Sequence, residues 1–176
     1  MLTNLSPSTL GDVQLGVREP SAPTFGVSLG NHVLGSVFLA PLSGITDVPF
    51  RSLVRSFGTQ TVYSEMVASG EIVKGDAESR LRASADGGGL HAVQLAGRDV
   101  DSMECAARLV ADDGADLIDI NMGCPAKKVV GGLSGASLMR DLDHATRLIE
   151  ATVRGAGSVP VTLKMRLGWE IGRAHV

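Results

Sequence analysis

The segment Asp119-Ile-Asn-Met-Gly-Cys-Pro-Ala-Lys-Lys128 sets an amide (Asn121), a thiol (Cys124), a proline (Pro125) and two ammonium groups (Lys127, Lys128) close together. It follows an apolar run over residues 115–120 that reads as a buried strand. Loops at the carboxyl ends of strands in α/β proteins are where ligands bind and chemistry happens. Amide, thiol and cation together can hold a polar planar ring, give it a proton and attract an anion. Thiols as a class have a pKa of about 8.5, so they stay mostly protonated at neutral pH yet can release the proton. Cys124 therefore reads as a proton donor in preference to a small buried hydrophobe. Cys105, on the apolar side of Met103-Glu-Cys-Ala-Ala-Arg-Leu-Val110, reads as core.

Further polar residues fall near the ends of other apolar runs. Gln94 stands at the end of 90–95, and a carboxamide can serve either hydrogen-bonding sense of a ring edge. Asn121 can do the same, or cap a turn. Lys164 follows Val161-Thr-Leu163, where a cation would stabilise developing negative charge. Arg166 lies two residues on, on the same strand face, and could hold a ring edge or a phosphate. Glu65 closes a run over 60–65 and could touch a substrate or orient other groups. Pro41-Leu42-Ser43-Gly44 is a tight strand-to-helix loop. Lys127 and Lys128 are either solvated or meet phosphate. Gly131-Gly-Leu-Ser-Gly135 is either a lid near the cysteine or a turn. His91 reads as strand-start packing and His144 as a first-turn helix residue. Neither has metal-ligand partners nearby in sequence, so no metal site is expected.

The elements that must position these groups follow a repeating rhythm. Residues 1–23, rich in Ser, Pro and Gly, read as a flexible extension. Strands are expected over 25–29 and 33–39 around the Gly30-Asn31 turn. A helix over 48–57 follows, capped by Thr46 or Asp47 with Pro49 in its first turn. Then come a strand over 60–65, short polar helices over 66–84 and a strand over 90–95. A helix over 99–113, capped by Asp99 and ended by Gly114, leads to a strand over 116–121. A helix over 143–154 and a strand over 159–166 complete the series. Strand, loop and helix in alternation imply a parallel sheet with right-handed crossovers. Polar residues gathered at one end of the strands point to an α/β (β/α)8 barrel with its site at the carboxyl face. A doubly wound sheet is the alternative; it usually carries Gly-x-Gly-x-x-Gly after its first strand, which Pro41-Leu-Ser-Gly44 is not.

A full barrel takes about 250 residues, and this chain of 176 offers the first five β/α units, over 24–169. Residues 170–176 continue no periodic pattern, match one reading frame of a sequencing adapter, and are expected to be a non-native tail. The composition is 44% hydrophobic and 20% charged with net charge −3, enough for one well-filled core. Aromatics make up 3%, too few for a base-stacking platform. Two cysteines form no disulfide framework, and a cytoplasmic location is the default. No apolar run reaches the about 18 residues of a membrane span.

Taken together, six segments resemble the FMN-dependent tRNA-dihydrouridine synthase family. They are Leu39-Ala-Pro-Leu-Ser-Gly-Ile-Thr-Asp-Val-Pro-Phe-Arg51, Ser64-Glu-Met66, Gln94-Leu95, the stretch 119–129, Gly135-Ala-Ser-Leu-Met-Arg140 and Pro160-Val-Thr-Leu-Lys-Met-Arg-Leu-Gly-Trp169. They stand in the family's order and span residues 25–169. The family usually has Met and Ala where this chain has Leu42 and Ser43, positions that approach flavin through backbone. The resemblance implies a two-step oxidoreductase: NADPH reduces bound FMN, hydride passes to C6 of a uridine extruded from tRNA, and a cysteine protonates C5. It gives Cys124 the role of proton donor. It assigns Pro41, Leu42, Ser43, Gln94, Asn121 and Lys164 to FMN, with Asn121, Arg166 and Glu65 toward the uridine. It also implies tRNA and NAD(P)H as partners, a monomer at full length, and further barrel strands, phosphate loops and a helical tRNA-binding domain beyond this chain. The chain by itself is then expected to be inactive. A flavin barrel acting on a free pyrimidine-like ring and a non-catalytic fragment stay open as other readings.

Overall fold

The computed structural model describes residues 26–169, so the expected extension (1–23) and tail (170–176) lie outside the described residues. β1 (Ser28–Leu29) and β2 (His32–Val33) pair antiparallel, Leu29 opposite His32. The Gly30-Asn31 turn closes this hairpin, with Gly30 at φ +57°, as a tight hairpin turn requires. The strand expected over 33–39 is split. Gly35 adopts φ +76° and breaks the extended run, so β3 (Phe38–Leu39) leaves the hairpin and joins a second sheet. Thr61 Oγ1 pins the crossing by donating to the Leu34 carbonyl at 2.5 Å.

That second sheet is parallel, and its spatial order is the chain order: β3, β4 (Thr61–Ala68), β5 (Leu90–Ala96), β6 (Leu117–Met122), β7 (Val161–Met165). A doubly wound sheet reverses its order at a switch point; here the order never reverses. Helices fill the connections: α1 (Val48–Ser56), α2 (Ser69–Val73), α3 (Ala77–Ala83), α4 (Val100–Asp112), α5 (Lys127–Gly131) and α6 (Leu142–Ala156), with a 3-10 helix at Gly135–Arg140 before α6.

The helix starts are capped as elementary chemistry dictates. Asp47, Asp76, Asp99 and Asp141 each accept a backbone N–H three residues on. Thr46, the other candidate cap of α1, is instead buried and bonds both the N–H and the carbonyl of Leu42. β4 runs three residues past its expected end, through Ala68. Its register with β5 shifts between Tyr63 and Met66, a bulge that lets Ser64 and Glu65 be buried without ending the strand. At the amino ends of β4 and β5, Arg55 bonds the Gln60 and Leu90 carbonyls, each at 2.7 Å, and pairs with Asp86 at 2.5 Å.

Strand alternation divides the sheet into two faces. Val93, Leu95, Ile118, Ile120 and Met122 point to the helix side and pack with Met103, Ala106, Ala107 and Val110 of α4 and Leu148 of α6. Residues between them point the other way, and those are largely polar. α4 and α6 pack closely because Gly155 has no side chain: a Cβ there would sit 2.1 Å from the Glu104 carbonyl oxygen. Gly155→Ala is expected to cost about 1–3 kcal/mol, the usual cost of overpacking, read from urea unfolding. An unchanged midpoint would show that the two helices part freely.

His91, at the start of β5, is buried, and burial holds its imidazole below the ordinary value. Among the described residues no helix is long and apolar enough to cross a membrane.

Candidate functional site

The polar face of the sheet carries a continuous hydrogen-bonded row. Gln94 of β5, Asp119 of β6 and Thr162 of β7 are direct neighbours in strand register. Thr162 Oγ1 donates to Asp119 Oδ1 at 2.7 Å. Gln94 Nε2 donates to Asp119 Oδ2 at 2.6 Å. Asn121 Nδ2 donates to Gln94 Oε1 at 2.9 Å. Asn121 Oδ1 then accepts the backbone N–H groups of Gly123 at 3.2 Å and Cys124 at 3.0 Å. Side chains from three strands thus end on the backbone of one cysteine.

Two further ties fix the cysteine loop. The Cys124 carbonyl accepts the Ala136 N–H at 3.0 Å, which seats the 3-10 helix against it. Arg166 Nε donates to the Gly123 carbonyl at 2.7 Å. The segment 131–135 is no free lid. Gly131 ends α5, and Ser134 Oγ bonds the Val129 carbonyl. Gly135, at φ +61°, begins the 3-10 helix in a gap where a Cβ would lie 2.7 Å from the Cys124 oxygen and 2.7 Å from Val129 Cγ1. Cys124 is half-buried. Cys105 is half-buried too, a correction to its reading as core: it sits one position off the face of α4 formed by Met103, Ala106 and Val110.

Beside the row lies a cleft of about 330 Å³ lined by Phe38, Pro41, Tyr63, Asp119, Thr162 and Lys164, among others. Lys164 is directly opposite Asn121 in register and exposed. Leu42 and Ser43 are exposed in the loop after β3. Glu65 belongs to that loop more than to the row: its Oε2 accepts the Gly44 N–H at 2.5 Å and lies 3.9 Å from Arg82 Nε. Ser64 links the two regions, since its hydroxyl accepts the Gln94 N–H at 3.0 Å and donates to the Glu65 carbonyl at 2.7 Å. Lys127 and Lys128 are exposed at the start of α5.

Burial pushes the Asp119 carboxyl above the usual range, and the bonds from Gln94 and Thr162 with the nearby Lys164 charge oppose that. Burial and the Asp119 charge raise the Tyr63 phenol as well. Asp119, Thr162 and Tyr63 were not among the candidates picked from sequence. The signal was present for Asp119, a single acid between Ile118 and Ile120 in step with Asn121. No group of three or more metal-ligating side chains occurs among the described residues.

A parallel sheet wound in chain order, covered by helices and carrying its polar side chains on the opposite face, defines the first five strands of a (β/α)8 barrel. The chain belongs to the dihydrouridine synthase family, whose model, Dihydrouridine synthase (Dus), matches residues 38–175. It is 61% identical over 138 residues to a probable tRNA-dihydrouridine synthase of Rhizobium leguminosarum bv. phaseoli, covering 78% of this chain and 43% of the relative. A probable tRNA-dihydrouridine synthase of Rhodobacter capsulatus is 61% identical over 136 residues, covering 76% of this chain and 42% of the relative. With tRNA-dihydrouridine synthase B of Serratia marcescens the identity is 47% over 143 residues, covering 80% and 42%. The chain spans less than half the length of these relatives.

Proposed function

We propose that this chain forms part of an FMN-dependent oxidoreductase that reduces uridine in tRNA to 5,6-dihydrouridine. The observation that carries the reading is the row from Thr162 to Asn121, which runs from a cleft lined by Asp119, Thr162 and Lys164 to the backbone of Cys124. The family assignment and the names of the similar relatives support the choice of substrate. In this reading the protein is a cytoplasmic monomer, with NADPH as the source of electrons.

The residues present fit a flavin ring. The cleft has an apolar side at Phe38 and Pro41 and an ammonium at Lys164, and the Asn121 amide is opposite Lys164 in strand register. When bound, FMN supplies the electron pair for the reduction. Pro41, Leu42 and Ser43, in a loop held by Glu65 and Thr46, would hold the ring through their backbone. The Lys164 ammonium would offset negative charge on the ring.

Reducing the C5–C6 bond of uracil needs a hydride equivalent at C6 and a proton at C5. The Cys124 thiol gives that proton. Asn121 serves ring and uracil, and it sets the direction of the cysteine loop. Arg166 stands at the uracil side and holds the loop through the Gly123 carbonyl. Glu65, which the resemblance assigns to the uridine, acts at one remove by placing the loop of residues 42–44.

The test is an assay of the full-length protein containing this chain on unmodified tRNA, with FMN and NADPH. Dihydrouridine detected by nucleoside mass spectrometry is the expected result. Tight FMN binding with turnover of a free pyrimidine and none of tRNA would overturn the substrate assignment.

A further inference from the structure

Asp119 is a buried carboxylate, 3% exposed, that lines the cleft. Its bonded partners are neutral, the amide of Gln94 and the hydroxyl of Thr162. No ion pair to it is formed among the described residues, and Lys164 acts on it at a distance. A buried charge without a bonded counter-ion is costly. A neutral Asn at this site could make both hydrogen bonds, accepting from Gln94 and donating to the Thr162 oxygen. Hydrogen bonding therefore does not account for the acid; its charge does something an amide cannot.

Resting on the proposed FMN site, we infer that Asp119 sets the reducing power of the bound flavin: its negative charge, opposed by Lys164 across the same cleft, destabilises the reduced, more negative form of the ring. The physics is Coulombic. Reduction adds electron density to the ring, and a fixed anion that is itself buried disfavours that added charge. A flavin held beside Asp119 is a stronger reductant than one held beside Lys164 without it. This suits a substrate such as the C5–C6 double bond of a pyrimidine, which accepts electrons reluctantly. The burial that keeps the charge unscreened also raises the carboxyl pKa. The effect therefore costs stability: a carboxyl raised above its unfolded value binds its proton more tightly when folded. The folded state then loses stability as pH climbs from the unfolded toward the folded pKa, and the loss persists at neutral pH.

The experiment is spectroelectrochemical titration of the full-length, FMN-loaded protein as wild type, Asp119→Asn and Thr162→Val. Asp119→Asn should strengthen binding of reduced over oxidised FMN at least tenfold, which raises the midpoint by about 30 mV for a two-electron couple. Its thermal midpoint at pH 7 should be no lower than that of the wild type. Thr162→Val, which keeps the charge, should leave the ratio within threefold. An unchanged ratio in FMN-loaded Asp119→Asn overturns the inference by itself, as does an equal shift in Thr162→Val, which would make shape the cause. Failure of the wild type to take up FMN overturns the proposed function and this inference with it.

Discussion

Cys124→Ser in the full-length protein is expected to slow dihydrouridine formation by a factor of about 10²–10⁴, the range that a positioned proton donor contributes. FMN binding should be unchanged. The argument turns on how the loop is held. Its ties run through the backbone N–H and carbonyl of residue 124, to Asn121 Oδ1 and to the Ala136 N–H. Exchanging sulfur for oxygen leaves all of them in place. What changes is the acid, since an alkanol gives up its proton far less readily than a thiol. Single-turnover measurement separates proton delivery from the earlier flavin reduction. A serine variant that turns over tRNA at the wild-type rate would mean that the proton comes from another group.

The second large effect falls on a residue that touches no ligand. Gly135→Ala should reduce turnover about 10²-fold, the scale set by a misplacement of roughly 1 Å at a reacting group. Two costs meet at this site. The φ of +61° is disfavoured for a residue with a Cβ by about 1–2 kcal/mol. The added carbon would also press on the Cys124 oxygen and Val129 Cγ1, each at 2.7 Å. The easiest relief is for the 3-10 helix and the cysteine loop to separate, which breaks the bond from the Ala136 N–H to the Cys124 carbonyl. Leu138 of the same 3-10 helix belongs to the core cluster, so the melting transition should fall as well, by an amount set by the about 1–2 kcal/mol of backbone cost. The rate of iodoacetamide modification of Cys124 should change together with turnover. If both rates match the wild type, the 3-10 helix does not position the cysteine.

Much of this molecule is legible in the sequence for simple reasons. β5, β6, α4 and α6 are recoverable because their apolar residues recur at strand and helix periods and their caps are aspartates with clear neighbours. The loop at Cys124 stands out because amide, thiol and cations crowd together. Other features resisted because the physics that decides them is not local. Ser64 and Glu65 look like the end of a strand, yet a bulge and partners from Gln94 and Gly44 let β4 continue to Ala68. The glycines of 131–135 suggest an open loop, but their conformations join α5 to the 3-10 helix. Cys105 shares the apolar side of α4 only by its offset, and packing leaves it half-exposed. Thr162 gains its interest from Asp119 on the adjoining strand, and Tyr63 from the same acid two strands away, and no window along the chain contains both partners.

The row from Gln94 through Asp119 to Thr162 bears on how the sheet assembles. These residues meet because β5, β6 and β7 pair in one register. A one-residue slip of β6 would exchange its two faces. Asp119 would then enter the layer now filled by Ile118 and Ile120, against α4 and α6, as a carboxylate without donors. Burying such a group costs several kcal/mol, whereas the apolar residues of a parallel strand discriminate poorly between neighbouring registers. The acid of the cleft thus acts as a proofreader of strand alignment, and a neutral residue at 119 would remove a penalty against misfolded sheets as well as a charge.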